Sequence, residues 1–265
     1  MVVKTGLVSV TFRKEEPETV IDWVREAGLE AIEWGGDVHV PAGNLIKARS
    51  VGARTRSNGL LIPTYGSYYR AGTLNAFEAR RAFSEVLATA VALGARGIRV
   101  WANQIASEKA SPDIWERTLA DLSQIRDQAQ KEGLELYLEY HNNTLNDRPA
   151  ATRYLLSALN GPSGVKTFWQ PLNELTFEEN LQTLEAARPY LAHVHVFSDQ
   201  GASQPLSSRQ EQWLLYLPKL LDAGDKETAS FRCLMIEFVK NNSKEAFLED
   251  ARTLKNWLEL LDDRK

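Results

Sequence analysis

Three short runs in this 265-residue chain share one pattern. Ile32-Glu33-Trp34, Leu138-Glu139-Tyr140 and Ile236-Glu237-Phe238 each set a carboxylate between an aliphatic and an aromatic residue. Such a neighbourhood is a buried one, where a lone carboxylate either destabilises the fold or takes up a proton. Several of them converging on one place imply a cation, a metal ion or shared protons. Imidazoles stand close by: His141 follows the second run, and His193 and His195 lie two residues apart in another apolar stretch. A neutral imidazole is a ready transition-metal ligand and the side chain that most easily exchanges a proton near neutrality. A lone inward histidine is more often a hydrogen-bonded core residue, but His195 has carboxylates as neighbours. Tyr65, Arg99 and Gln170 also fall where apolar runs end. The fourth histidine, His39, sits in a Gly-rich stretch, where it reads equally as a loop contact or a substrate contact.

For these side chains to meet, the runs that carry them must be strands of one sheet. Eight candidates can be drawn, at 6–12, 31–34, 60–65, 97–101, 134–140, 165–170, 191–197 and 233–239. Several follow a helical pattern that closes on glycine, as at Gly28, Gly59 and Gly133, where the left-handed conformation ends a helix cheaply. Between them lie amphipathic segments. Trp115, Leu119, Leu122, Ile125 and Ala129 form an apolar stripe opened by Ser111-Pro112, and Phe247, Ala251, Leu254, Leu258 and Leu261 form another. Thr176 with Glu179 reads as a capping box. Strict alternation of strand and helix predicts a parallel sheet, and eight units of about 33 residues predict a (β/α)8 TIM barrel forming a single domain over 1–265. An open doubly wound sheet is the alternative, but no Gly-x-Gly-x-x-Gly turn follows the first strand. Pro63 weakens the third strand, since proline cannot donate to the ladder. Alternation along the eighth strand puts Leu234, Ile236 and Phe238 on the helix side and turns Glu237 to the barrel axis. The same parity pairs Glu139 with His141, and His193 with His195.

Composition sets limits on partners. With 31 Lys and Arg against 35 Asp and Glu, the formal charge is −4, which gives no footprint for nucleic acid. Hydrophobic residues make up 43% and charged ones 25%, the balance of a globular protein and not of a disordered one. No apolar run approaches the roughly 18 residues of a membrane span, and the first residues lack a signal-peptide core. The expectation is a soluble cytoplasmic protein. Its single cysteine, Cys233, lies in an apolar run and reads as a buried, inert thiol.

At these positions the chain resembles the xylose isomerase-like superfamily of TIM barrels, which holds sugar isomerases, ketose 3-epimerases, endonuclease IV and a 3-dehydroshikimate dehydratase. The resemblance spans essentially the whole chain. Its carriers are Ile32-Glu33-Trp34, the Leu138-Glu139-Tyr140-His141 stretch running on to Thr144-Leu145, Trp169-Gln170-Pro171, His193-Val194-His195 and Ile236-Glu237. It implies a divalent ion (Mn, Co, Zn or Mg) held by Glu139, Gln170, His195 and Glu237. Gln170 departs from the family's aspartate at that position, so the ligand shell would carry about −2 in place of −3 and attract a hard cation less. Either Gln170 coordinates through its oxygen or His141 moves in; an inward Gln with no ion is the remaining alternative. Asn173 is a second departure, where many relatives have a histidine that contacts substrate or a second metal.

The function implied is an isomerase or epimerase of a small sugar or sugar-like polyol, working by proton abstraction beside a carbonyl. Glu139 and Glu237 would be the acid/base pair, with His141 in support. Arg99, Trp101, Glu33, Tyr65, His193 and Asn173 are the candidate substrate contacts, Arg99 reading equally as the holder of an anionic or hydroxyl group and as a barrel-mouth ion pair to Glu139. Trp101, Trp34 and the Tyr65–Tyr69 loop offer faces for sugar C–H groups or a hydrophobic cap. The alternatives are a dehydratase of the 3-dehydroshikimate type, with His141 as its general acid or base, and a barrel that binds a sugar without turning it over. Endonuclease chemistry does not suit the net charge or four histidines. The resemblance allows a homo-oligomer, although no apolar stripe exceeds what packing within the barrel requires.

Overall fold

A computed structural model describes residues 2–159, 164–199, 201–223 and 231–262. Eight parallel strands close on themselves in chain order, β1 (Val2–Val8), β2 (Ala31–Gly35), β3 (Tyr65–Ala71), β4 (Gly97–Ala102), β5 (Glu135–Glu139), β6 (Lys166–Trp169), β7 (Leu191–Val196) and β8 (Phe231–Ile236). Eight helices surround them: α1 (Pro17–Glu26), α2 (Leu45–Ser57), α3 (Ala76–Leu93), α4 (Pro112–Lys131), α5 (Pro149–Ala158), α6 (Phe177–Ala187), α7 (Gln210–Leu221) and α8 (Lys244–Asp262). This is the (β/α)8 TIM barrel that the alternating pattern predicts.

The helix signals act as their chemistry requires. Thr176 Oγ1 accepts from Glu179 N at 3.2 Å while Glu179 accepts from Thr176 N at 2.8 Å, closing the capping box of α6. Pro112 opens α4 and Gly133, at φ 71°, lets the chain turn after it into β5. Leu122, Ile125 and Ala129 of α4 and Phe247, Ala251 and Leu254 of α8 are buried against the barrel. Strand alternation then divides the apolar residues into two sets. Leu234 and Ile236 join the large layer between sheet and helices, whereas Cys233 and Met235 join Val8, Ala31, Tyr137, Phe168 and Ala192 in a smaller interior cluster.

Three strands differ from their expected limits by more than one residue at an end, each for a physical reason. The first ends at Val8, and 9–12 turn into a short 3-10 helix that packs Phe12 against Trp23 and Phe247; an unbroken apolar run conceals that change. The third does not occupy 60–65. Leu61 bonds β2 through Glu30 O and Ile32 N, both at 2.9 Å, but Pro63 interrupts the ladder and β3 proper starts only at Tyr65. The strand therefore carries its end out to Arg70 and Ala71. The eighth ends at Ile236, and Phe238 lies at φ 54°, so the predicted face alternation stops there. A positive φ on a bulky aromatic residue is strained backbone, and here it follows directly on Glu237.

Candidate active site

Glu33 of β2, Arg99 of β4, Glu139 of β5, Gln170 after β6, His195 of β7 and Glu237 after β8 meet inside the C-terminal mouth, all buried. Arg99 is the central tie. Its Nε donates to Glu33 Oε1 at 2.8 Å, its Nη2 lies 2.7 Å from the same oxygen, and its Nη1 pairs with Glu139 Oε2. Trp101 Nε1 also donates to Glu139 Oε2. Gln170 Nε2 donates to Glu139 Oε1 at 3.2 Å and to Tyr140 O at 3.0 Å, while Gln170 Oε1 lies 3.2 Å from His195 Nδ1. His195 Nδ1 is 3.6 Å from Glu237 Oε2 and 3.7 Å from Glu139 Oε1. On the other side of the ring, His195 Nε2 and Glu33 Oε2 are buried without hydrogen-bond partners, 3.6 Å apart.

Gly66 makes this arrangement possible. A Cβ at that position would lie 2.7 Å from both Arg99 Nη2 and Glu33 Oε1, so only a residue without a side chain leaves room for the ion pair.

The carboxyl groups respond differently to the same burial. Burial alone would raise all three, but Arg99 and then His195 hold Glu33 down to about 2, and the same two groups, with His141, lower Glu139. Glu237, without a guanidinium directly on it, is pushed up to about 7 by burial and by the charge of Glu139, against the pull of His195 and Arg99. His195 is raised: burial disfavours its charge, but Glu237, Glu33 and Glu139 outweigh that.

Fully ionised, three carboxylates against one guanidinium leave two negative charges among buried side chains. Two protons, on His195 and Glu237, or one divalent cation would cancel them. Among the described residues no group of three His, Cys, Asp or Glu side chains is placed to hold a metal ion by itself. Yet Gln170 Oε1, Glu139 Oε1 and Glu237 Oε2 stand 3.2–3.7 Å from His195 Nδ1. Donors bound at about 2.1 Å to one ion are themselves about 3.0–3.5 Å apart. In donor type, in charge and in their distances from His195 Nδ1 the four side chains suit a divalent ion, with Gln170 its weakest ligand.

The other expected contacts are spread out. Trp101 and His141 form the rim, their rings 5.4 Å apart, with His141 Nδ1 bonded to Asn142 O at 2.8 Å and not drawn into the cluster. Tyr65 is fully buried and donates to Val40 O at 2.8 Å, which makes it an anchor for the loop after β2. His193 lies a layer deeper, accepting from Cys233 N at 3.0 Å among Tyr137, Phe168 and Phe231. Asn173 is exposed on the wall of a separate cavity of about 130 Å³ with Phe197 and Trp213. His39 is buried against Trp34 and bonded to Glu15 O at 3.1 Å. Sequence reasoning missed the role of Gly66 and the rim residue Arg70, which the displaced end of β3 delivers to the mouth beside Tyr68. Tyr68 hydroxyl accepts from Arg13 at 2.8 Å and donates to Asp37 at 3.1 Å.

Comparison with known proteins agrees with the architecture. No curated protein matches the sequence. Among solved structures, the probable 3-DHS dehydratase AsbF of petrobactin synthesis from Bacillus anthracis superposes with a TM-score of 0.71 at 18% identity, covering 95% of this chain and 98% of that one. A D-psicose 3-epimerase, solved in the presence of D-fructose, gives 0.71 at 17%, covering 97% of each chain. A xylose isomerase-like TIM barrel protein from Mycobacterium smegmatis, in complex with magnesium, gives 0.66 at 15%, covering 96% of each. At such identities the likeness establishes the fold. The profile of the xylose isomerase-like TIM barrel family matches residues 21–213, and the chain belongs to that family.

Proposed function

We propose that the chain is an isomerase or epimerase of a small sugar or sugar-like polyol, moving a proton on the carbon beside a carbonyl. What supports this reading is that two carboxyl groups of one pocket are driven apart: Arg99 and His195 hold Glu139 below the usual carboxylate range, with Trp101 donating to it, while burial pushes Glu237 up to about 7. Pairs whose environments drive their proton affinities apart are how acid and base roles are divided in one pocket. Glu237 is the base that takes the proton from carbon, since its affinity matches neutral pH. An isomerase returns that proton through Glu237 itself; an epimerase returns one to the other face of the carbon, for which Glu139 must first take up a proton from solvent. Arg99 keeps Glu139 and Glu33 in place and is not free for substrate.

Glu139, Gln170, His195 and Glu237 would hold a divalent ion of the Mn, Co, Zn or Mg class. When bound it would polarise the substrate's carbonyl and hydroxyl oxygens. The reading includes a cytoplasmic protein with a small-molecule substrate and no nucleic-acid partner; among the described residues no helix is long and apolar enough to cross a membrane.

A dehydratase of a dehydroshikimate-like acid is the second reading, favoured by His141 at the rim beside Trp101, where it could protonate a leaving hydroxyl after the same first step. Exchange of solvent deuterium into a panel of ketoses and a dehydroshikimate-like acid, with added Mn²⁺, tests both. Exchange into a ketose supports the first reading. Loss of net turnover in His141→Asn with carbon exchange intact supports the second. Binding of a ketose with no exchange anywhere leaves a sugar-binding barrel.

A further inference from the structure

We propose that Arg70 is an anion anchor at the barrel mouth, so that the substrate carries a carboxylate or phosphate group away from the reacting carbon. This rests on the reading that the mouth is the substrate site. The anionic role that the sequence suggests for Arg99 cannot be filled there, because Glu33 and Glu139 take up its guanidinium. Arg13, at the same rim, is also spent, on Asp37, Val10 O and the Tyr68 hydroxyl.

Arg70 differs from both. It is half-buried at the end of β3, paired in register with Trp101, and its Cζ lies 4.3 Å from the centre of the Trp101 ring. Its main-chain oxygen accepts from Thr73 Oγ1 at 2.8 Å, which fixes the turn that follows. Among the described residues no carboxylate or carbonyl oxygen bonds its guanidinium. Contact with an aromatic face holds a guanidinium in place without using its N–H groups, and those groups match carboxylate or phosphate oxygens in pairs. The supporting ring is the one whose Nε1 donates to Glu139. An anion on Arg70 would therefore sit one indole away from the proposed proton-transfer site, a spacing suited to the far end of a short polyol chain. A neutral sugar would leave this held cation unused.

The test is calorimetric titration of the full chain, with Mn²⁺ present, against matched sets of ketoses: the neutral sugar, its 6-phosphate and its uronate. Wild type should bind at least one of the two anions tenfold or more tighter than the neutral sugar, with the advantage shrinking as salt is raised. Which anion gains tells phosphate from carboxylate. Arg70→Gln should lose the advantage while neutral-sugar affinity stays within about twofold, and Arg70→Lys should keep part of it. Equal binding of neutral and anionic sugars by wild type, or an advantage that survives in Arg70→Gln, overturns the anchor and leaves the sugar reading standing. Absence of binding by every member of every set overturns both.

Discussion

His193 and His195 stand two residues apart on β7 and face the same barrel interior, yet the molecule treats them in opposite ways. His193 is set among Tyr137, Phe168 and Phe231, accepts a main-chain N–H, and is driven down to about 3 by burial and the nearby Arg232 charge. His195, one layer nearer the mouth, has Glu237, Glu33 and Glu139 around it and is raised. Both rings are fully buried, so burial itself does not separate them; the sign of the surrounding charge does. The deeper layer is a neutral, aromatic packing layer that supports the sheet. The mouth is a charged one, held together by Arg99 and open to a cation.

The largest effect should come from breaking the mouth at its one loosely held carboxylate. Glu237→Gln keeps the size and an oxygen but cannot accept a proton from carbon at neutral pH. Solvent-deuterium exchange into a ketose should fall by roughly 10²–10⁴-fold, with the fold intact by circular dichroism. Exchange within a few-fold of wild type would remove Glu237 from the reaction.

Gly66→Ala presses on the Arg99 and Glu33 tie and should destabilise the protein by about 1–3 kcal/mol, read as a lower urea midpoint. An unchanged midpoint would mean that the ion pair has room to shift.

The deeper layer is tested through pH. His193 is neutral in the folded chain down to about 3 but takes up a proton near 6.5 when unfolded. Its contribution is fully present above pH 6.5 and is lost as pH falls toward 3, by about 1.4 kcal/mol per pH unit. Urea unfolding of wild type and His193→Gln at pH 7, 6 and 5 isolates it. The stability of wild type relative to the variant should decline across that series, and a constant difference would contradict the assignment of His193 to a neutral layer.

Much of the charged layer was legible from strand parity. Glu139, His195 and Glu237 sit between apolar neighbours whose outward faces are set by alternation, so their inward direction followed without any knowledge of contacts. Depth along the barrel axis was not legible. Parity puts His193 and His195 on one face and says nothing of which rings or carboxylates the neighbouring strands bring to each level. Tyr65 was placed at a strand end and Arg70 passed over for a related reason: the apolar run 60–65 stops where β3 begins, so the run's end was taken for the strand's end. Gly66 was invisible because its role is the space it leaves for side chains from β2 and β4, a relation no local pattern records.

With Glu139 and Glu237 both ionised, the mouth formed by Glu139, Gln170, His195 and Glu237 would hold two negative charges, suited to one divalent cation. Calorimetric titration of Mn²⁺ near pH 7, in two buffers of different ionisation enthalpy, reads affinity, stoichiometry and proton release together. One ion should bind per chain, with release of between one and two protons as His195 and Glu237 give theirs up, and with affinity about tenfold tighter or more in Gln170→Asp, which adds charge to the ligand set. Binding with no proton release, or with equal or weaker affinity in Gln170→Asp, would show that the ion does not sit among these four side chains.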